Sequence, residues 1–210
     1  MPAMKTVLFP ILVAAASASI AVRGQGSMFV YDQQSVTNRT IGPAGAPIQE
    51  DQPMGQSFTP SLAGVGFVQL EFHDVHPTNG LGATVYVNLL ADSITGTVLG
   101  TTATVPMPDN FFDGVTNFFF PTTIPVTPGT AYYLQPVVLS GDDLWSVIVG
   151  NFGYQGGSFY ALGVPQLNGS DLWFREGVVT PEPSSIVLVL VGAGLLVYAR
   201  RKCNRMRSRV

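Results

Sequence analysis

The two histidines of this 210-residue chain, His73 and His76, stand three apart in the run HDVH, with Glu71 and Asp74 beside them. Two imidazoles and two carboxylates are a ligand set for a transition metal. In a strand, though, residues three apart project from opposite faces. Only a turn at residues 75–77 would bring both rings to one ion, so a solvated strand end is the preferred reading. The turn Gly141-Asp142-Asp143 offers hard oxygens of the kind calcium accepts. A structural calcium at Asp142 and Asp143 is the second metal candidate, and a plain acidic turn is its alternative.

Nucleophilic chemistry finds less support. The chain has no Gly-x-Ser-x-Gly, and its single cysteine, Cys203, is in a basic tail. A Ser-His-Asp triad would have to use His73 or His76. No pair of carboxylates stands out for glycoside hydrolysis. The expectation is therefore a protein that is not an enzyme and needs no cofactor. A secreted carbohydrate-active hydrolase or lyase is the alternative.

Aromatic residues make the better case for binding. Trp145, Phe152, Tyr154, Phe159, Tyr160 and Trp173 are interleaved with Gly and Asn. Exposed rings stack on sugars, and neighbouring amides and carboxylates hydrogen-bond hydroxyls. Trp145, Tyr154, Tyr160 and Trp173 form the candidate ligand platform. The competing reading places these rings in the core, where most aromatics go.

The elements that must position these residues read as strands. In GFVQLEFH (66–73), Val68, Leu70 and Phe72 share one face while Gln69, Glu71 and His73 share the other. ATVYVNLLAD (83–92), VLGTTATV (98–105), VTNFFF (115–120), AYYLQPVVLS (131–140), LWSVIVG (144–150), SFYAL (158–162) and DLWFRE (171–176) continue the series. MFVYDQ (28–33) and GQSFTP (55–60) are expected at edges. Pro136 demotes its half-strand to an edge or bulge. Turn signals such as Asn79-Gly80, Asp113-Gly114 and Pro128-Gly129 separate the runs. The pattern predicts an all-β antiparallel sandwich of jelly-roll type over residues 22–178.

Charge divides the chain. Six of the ten basic residues fall in the last eleven positions, whereas residues 19–180 carry twelve acids against three arginines. So acidic a body does not suit nucleic acid, because phosphate neutralisation needs a basic face. It also contains no cysteine, so no disulfide staples it.

The ends read as targeting segments. Lys5, an apolar run and small residues at 16–21 have the layout of a signal peptide over 1–21. At the other end, Pro181, Glu182 and Pro183 precede an apolar stretch at 185–199 and the basic tail 200–210, opened by Arg200, Arg201 and Lys202. The prolines bar a helix from entering on the left. The cations hold the right end on the cytoplasmic side. An N-terminal signal helix and a single C-terminal transmembrane helix should thus flank the body.

The order Pro-Glu-Pro, apolar segment, arginine cluster resembles the PEP-CTERM sorting signal of Gram-negative bacteria. The resemblance covers about residues 181–209. It implies recognition by exosortase, a membrane-embedded enzyme with a cysteine nucleophile, and processing near Pro181-Glu182-Pro183. It further implies an inner-membrane precursor, a final place at the cell surface or in the matrix, and association with exopolysaccharide and biofilm. This tail is longer than usual and carries a cysteine.

GQSFTP, LLADS (89–93), PVTPGTAYYLQ (125–135) and DLWFRE resemble a second family, the choice-of-anchor β-sandwich of bacterial surface proteins. That likeness spans about 55–178. It implies a fold and a surface location, and no activity.

Overall fold

Period-2 alternation dominates the chain, and the computed structural model is correspondingly strand-built. It describes residues 27–35, 44–166 and 169–181, together with Ala193. The expected signal helix over 1–21 and the transmembrane helix over 185–199, Ala193 apart, lie outside the described residues, as do Glu182, Pro183 and the basic tail. Among the described residues no helix is long and apolar enough to cross a membrane. Residues 29–179 form one unit. Residues 1–28 and 180–210 form a second, of which few are described.

The strands are β1 (Ser27–Gln34), β2 (Ala44–Pro47), β3 (Gly55–Phe58), β4 (Gly64–Asp74), β5 (Ala83–Ala91), β6 (Val98–Thr101) and β7 (Val105–Met107). They continue with β8 (Gly114–Pro125), β9 (Tyr132–Gly141), β10 (Trp145–Gly150), β11 (Phe159–Ala161), β12 (Val164–Pro165), β13 (Asp171–Leu172) and β14 (Phe174–Pro181). One sheet runs β1-β14-β4-β10-β13, with β8 on β4 and β2 on β10. The other runs β12-β11-β3-β9-β5-β6, with β7 on β5. The long pairs β4–β8 and β5–β9 are antiparallel.

The core is contributed by inward-facing residues of both sheets. Val68, Leu70, Phe72, Phe118, Trp145, Val147 and Phe174 come from the first; Phe58, Val85, Val87, Leu89 and Leu134 come from the second. Burying each such side chain contributes about 1.5–3 kcal/mol. The all-β expectation thus holds as two antiparallel sheets around one main core.

Two local expectations are corrected and a third holds. GQSFTP was assigned to an edge, but β3 lies inside its sheet, between β9 and β11, with all four residues buried. Glu71 and Asp74 were placed at a solvated strand end, but both are buried, as is Gln69. β4 is hydrogen-bonded to β8 on one side and to β14 and β10 on the other, and Gln69 Nε2 donates to Asn117 Oδ1 at 2.7 Å. Pro136 lies opposite Val87 in the half of β9 that pairs with β5 alone and carries a register shift at Val138–Ser140, as the edge-or-bulge expectation has it. The ladder of β9 with β3 stops at Leu134, and Gln52 Nε2 donates to the Pro136 carbonyl at 2.8 Å. The absent proline N–H therefore breaks no ladder bond.

Candidate functional site

The four candidate platform aromatics separate. Trp145 is fully buried in the main core, and Phe111 packs against it with ring centroids 6.2 Å apart. Trp173 is buried with Ile148 and Phe152, and the Arg175 guanidinium lies 4.9 Å above its ring. Neither indole presents a stacking face, which corrects their place in the platform. Tyr154 is half-buried. Its hydroxyl accepts from the Thr59 amide at 3.2 Å and donates to Gln33 Oε1 at 3.1 Å. Burial pushes that phenol up to about 12.

Tyr160 differs. It stands on β11, half-buried, edge-on to Tyr133 at 5.5 Å. Burial and its hydrogen bond to Tyr160 raise the Tyr133 phenol above its ordinary value. Beside the two rings runs a ladder of neutral polar groups. Thr101 Oγ1 donates to Asn88 Oδ1 at 2.8 Å, Asn88 Nδ2 to Gln135 Oε1 at 3.2 Å, and Gln135 Nε2 to Gln52 Oε1 at 3.1 Å. The register places Thr101, Asn88 and Gln135 directly across from one another on β6, β5 and β9. Each amide retains hydrogen-bonding capacity for a hydroxyl-rich ligand. Sequence reasoning missed Tyr133, Gln135, Asn88 and Gln52. Its signal was present, since Tyr133 and Gln135 alternate with the buried Tyr132 and Leu134.

The histidines part company. His73 Nδ1 lies 3.5 Å from Asp113 Oδ1, and its ring meets Phe112 edge-on. Asp74 is buried and accepts the amides of His76 and Asn110 at 3.0 and 2.9 Å, which fixes it as a turn cap. His76 instead meets the acidic turn: its Nδ1 is 3.3 Å from Asp143 Oδ1 and 3.8 Å from Asp142 Oδ1. Burial raises the Asp142 carboxyl. Hydrogen bonds from Asn79 and Asp143, with the His76 imidazole, outweigh that and hold it below its usual range. One donor atom from each of His76, Asp142 and Asp143 lies within 4.8 Å of the others. The two carboxylates suit calcium, whereas the imidazole nitrogen suits zinc.

An acid cluster that the sequence did not reveal occupies the seam beside β1. Glu176 on β14 is wholly buried. Its Oε1 accepts from the Gln33 amide at 3.1 Å, and its Oε2 makes no hydrogen bond. Burial first, then the charge of Asp32, pushes its carboxyl up to about 8. Asp32 moves the opposite way. Burial raises it, but the amides of Leu62 and Ser61 and the Ser61 hydroxyl bring it below its ordinary value. Asp171 is buried nearby in the same polar network, taking the Tyr154 amide at 3.0 Å and Gln56 Nε2 at 3.2 Å.

β14 carries the chain out of this cluster and ends at Pro181. Residues 179–202 match the PEP-CTERM protein-sorting motif. The motif therefore begins inside the last strand, at residues 179–181. It includes Glu182, Pro183, Arg200, Arg201 and Lys202. A PEP-CTERM motif implies export, processing by exosortase and membrane-associated sorting toward the cell surface. No curated protein matches the chain.

Proposed function

We propose that the chain is an exported surface or matrix protein of a Gram-negative bacterium, sorted through its C-terminal PEP-CTERM segment and without catalysis of its own. The observation that carries this reading is the continuity of β14 with the motif: a strand-built body runs directly into a sorting segment. The signal peptide over 1–21 directs export, the 185–199 helix anchors the precursor in the inner membrane, and exosortase cuts near Pro181-Glu182-Pro183. The body acts as a choice-of-anchor sandwich of jelly-roll type. It associates with exopolysaccharide through the neutral face of Tyr160, Tyr133, Gln135 and Asn88. A structural calcium at Asp142 and Asp143 is the metal this reading admits, and it needs no cofactor.

A chain with Pro181, Glu182 and Pro183 all replaced by Ala, expressed in the native host, tests the sorting step. It should accumulate in the inner membrane while the wild type reaches the surface. Equal surface delivery of both contradicts the reading.

One observation favours a second reading, a carbohydrate-active hydrolase. Glu176 is pushed up and Asp32 held down, as in carboxylate pairs that divide acid and base roles. Against it, Glu176 is sealed from solvent and both Asp32 oxygens are engaged. New reducing ends released from a polysaccharide by the wild type, and not by Glu176→Gln, would establish it.

A further inference from the structure

β1 is fastened to β14 at points that are not ordinary ladder bonds. Ser35 donates its amide to the Phe174 carbonyl at 3.0 Å, and its Oγ accepts from the Phe174 amide at 2.9 Å. Gly177 has no side chain where a Cβ would collide with the Val30 carbonyl. Between these two points, the Gln33 amide is held by a side chain, Glu176 Oε1. Beyond its ladder with β14, the seat of β1 thus includes one buried carboxyl group whose second oxygen has no hydrogen-bond partner.

A carboxyl in that position is stable when neutral. An ionised one needs several donors or a cation. The groups around Glu176 offer one donor, the Gln33 amide, and no cation, and burial with the charge of Asp32 outweighs that one bond. From β1 it faces Asp32, a carboxylate, and from the loop after β10 it faces Tyr154, whose hydroxyl is committed to Thr59 and Gln33. β4 places Val68 opposite it. Arg175 precedes it in the chain and lies over the rings of Trp173 and Tyr31.

We propose that Glu176 is a proton-operated latch on the β1–β14 edge. While it holds its proton, no buried charge opposes the seat of β1, and Oε1 keeps the Gln33 amide. When the proton leaves, the buried charge beside Asp32 drives β1 off and loosens the strand from which the sorting motif emerges. The direction follows from linkage. Glutamate ionises near 4.5 when unfolded and near 8 in this fold. The fold binds the proton more tightly than the opened chain, so the edge weakens as pH rises from the ordinary glutamate range to about 8 and levels off above it. The latch rests on contacts within the body and stands apart from the reading of the protein as a sorted matrix component.

Hydrogen exchange on the purified full chain in detergent micelles tests the latch. Rates are corrected for base-catalysed intrinsic exchange. Between about pH 6 and pH 8, opening of β1 and β14 should increase at least about tenfold while β5 and β9 hold. In Glu176→Gln the same edge should exchange independently of pH. A pH-independent edge in the wild type, an identical rise in Glu176→Gln, or an equal rise in β5 and β9 overturns the proposal. Should Glu176→Gln not fold, carboxyl carbon NMR of the wild type decides. Titration of Glu176 near neutrality or above supports the latch, with the midpoint falling in Asp32→Asn. Titration in the ordinary glutamate range overturns it.

Discussion

Trp145 and Tyr160 show how two aromatics with similar sequence surroundings reach different ends. Trp145 follows an acidic turn and Tyr160 a glycine-rich loop, so both could have lined a ligand platform. Trp145 is sealed inside the main core, whereas Tyr160 is half-exposed beside a row of amides. Replacing Trp145 by Ala should cost about 3–5 kcal/mol and lower the melting temperature by roughly ten degrees or more. The double replacement Tyr133→Ala and Tyr160→Ala should leave melting within about four degrees and weaken retention on a neutral polysaccharide column. Thermal scans beside column retention check both outcomes. The sequence could not separate these rings, because what covers Trp145 comes from elsewhere. Gln49 accepts the Trp145 amide and Phe111 packs on the ring. Glu176 was illegible for the same reason. Its neighbour Asp32 is 144 positions earlier in the chain, and only the fold brings them together.

At the scale of elements, the alternating runs at 66–73, 83–92, 115–120 and 131–140 became β4, β5, β8 and β9, since β-branched and aromatic residues every second position leave little other choice. β2 was missed. Its AGAP has poor strand propensity and is a strand only because four of its residues pair with β10. The interior place of β3 was also illegible, because pairing partners more than seventy residues away set it. β1 was read correctly as an edge strand, and its attachment is open to test. Gly177→Ala forces a Cβ against the Val30 carbonyl and should destabilise the body by about 1–3 kcal/mol. The expected outcome is a lower urea midpoint with an unchanged slope. An unchanged midpoint would show that β1 does not depend on this close approach.

The whole molecule is an acidic strand-built body joined to a cationic end. Twelve acids fall within residues 19–180, and six cations within the last eleven positions. Such asymmetry suits a chain whose tail stays at the cytoplasmic face while the body crosses. The motif match at 179–202 agrees with that division and places the start of the sorting segment within β14. A cut near Pro181-Glu182-Pro183 would leave β14 almost whole and remove every cation beyond Arg175. The direct test is the intact mass of the protein recovered from the surface or matrix of its native host. The account predicts a mass lacking about the first 21 residues and everything beyond the Pro181–Pro183 region. A surface form that still carries Arg200, Arg201 and Lys202 would contradict it.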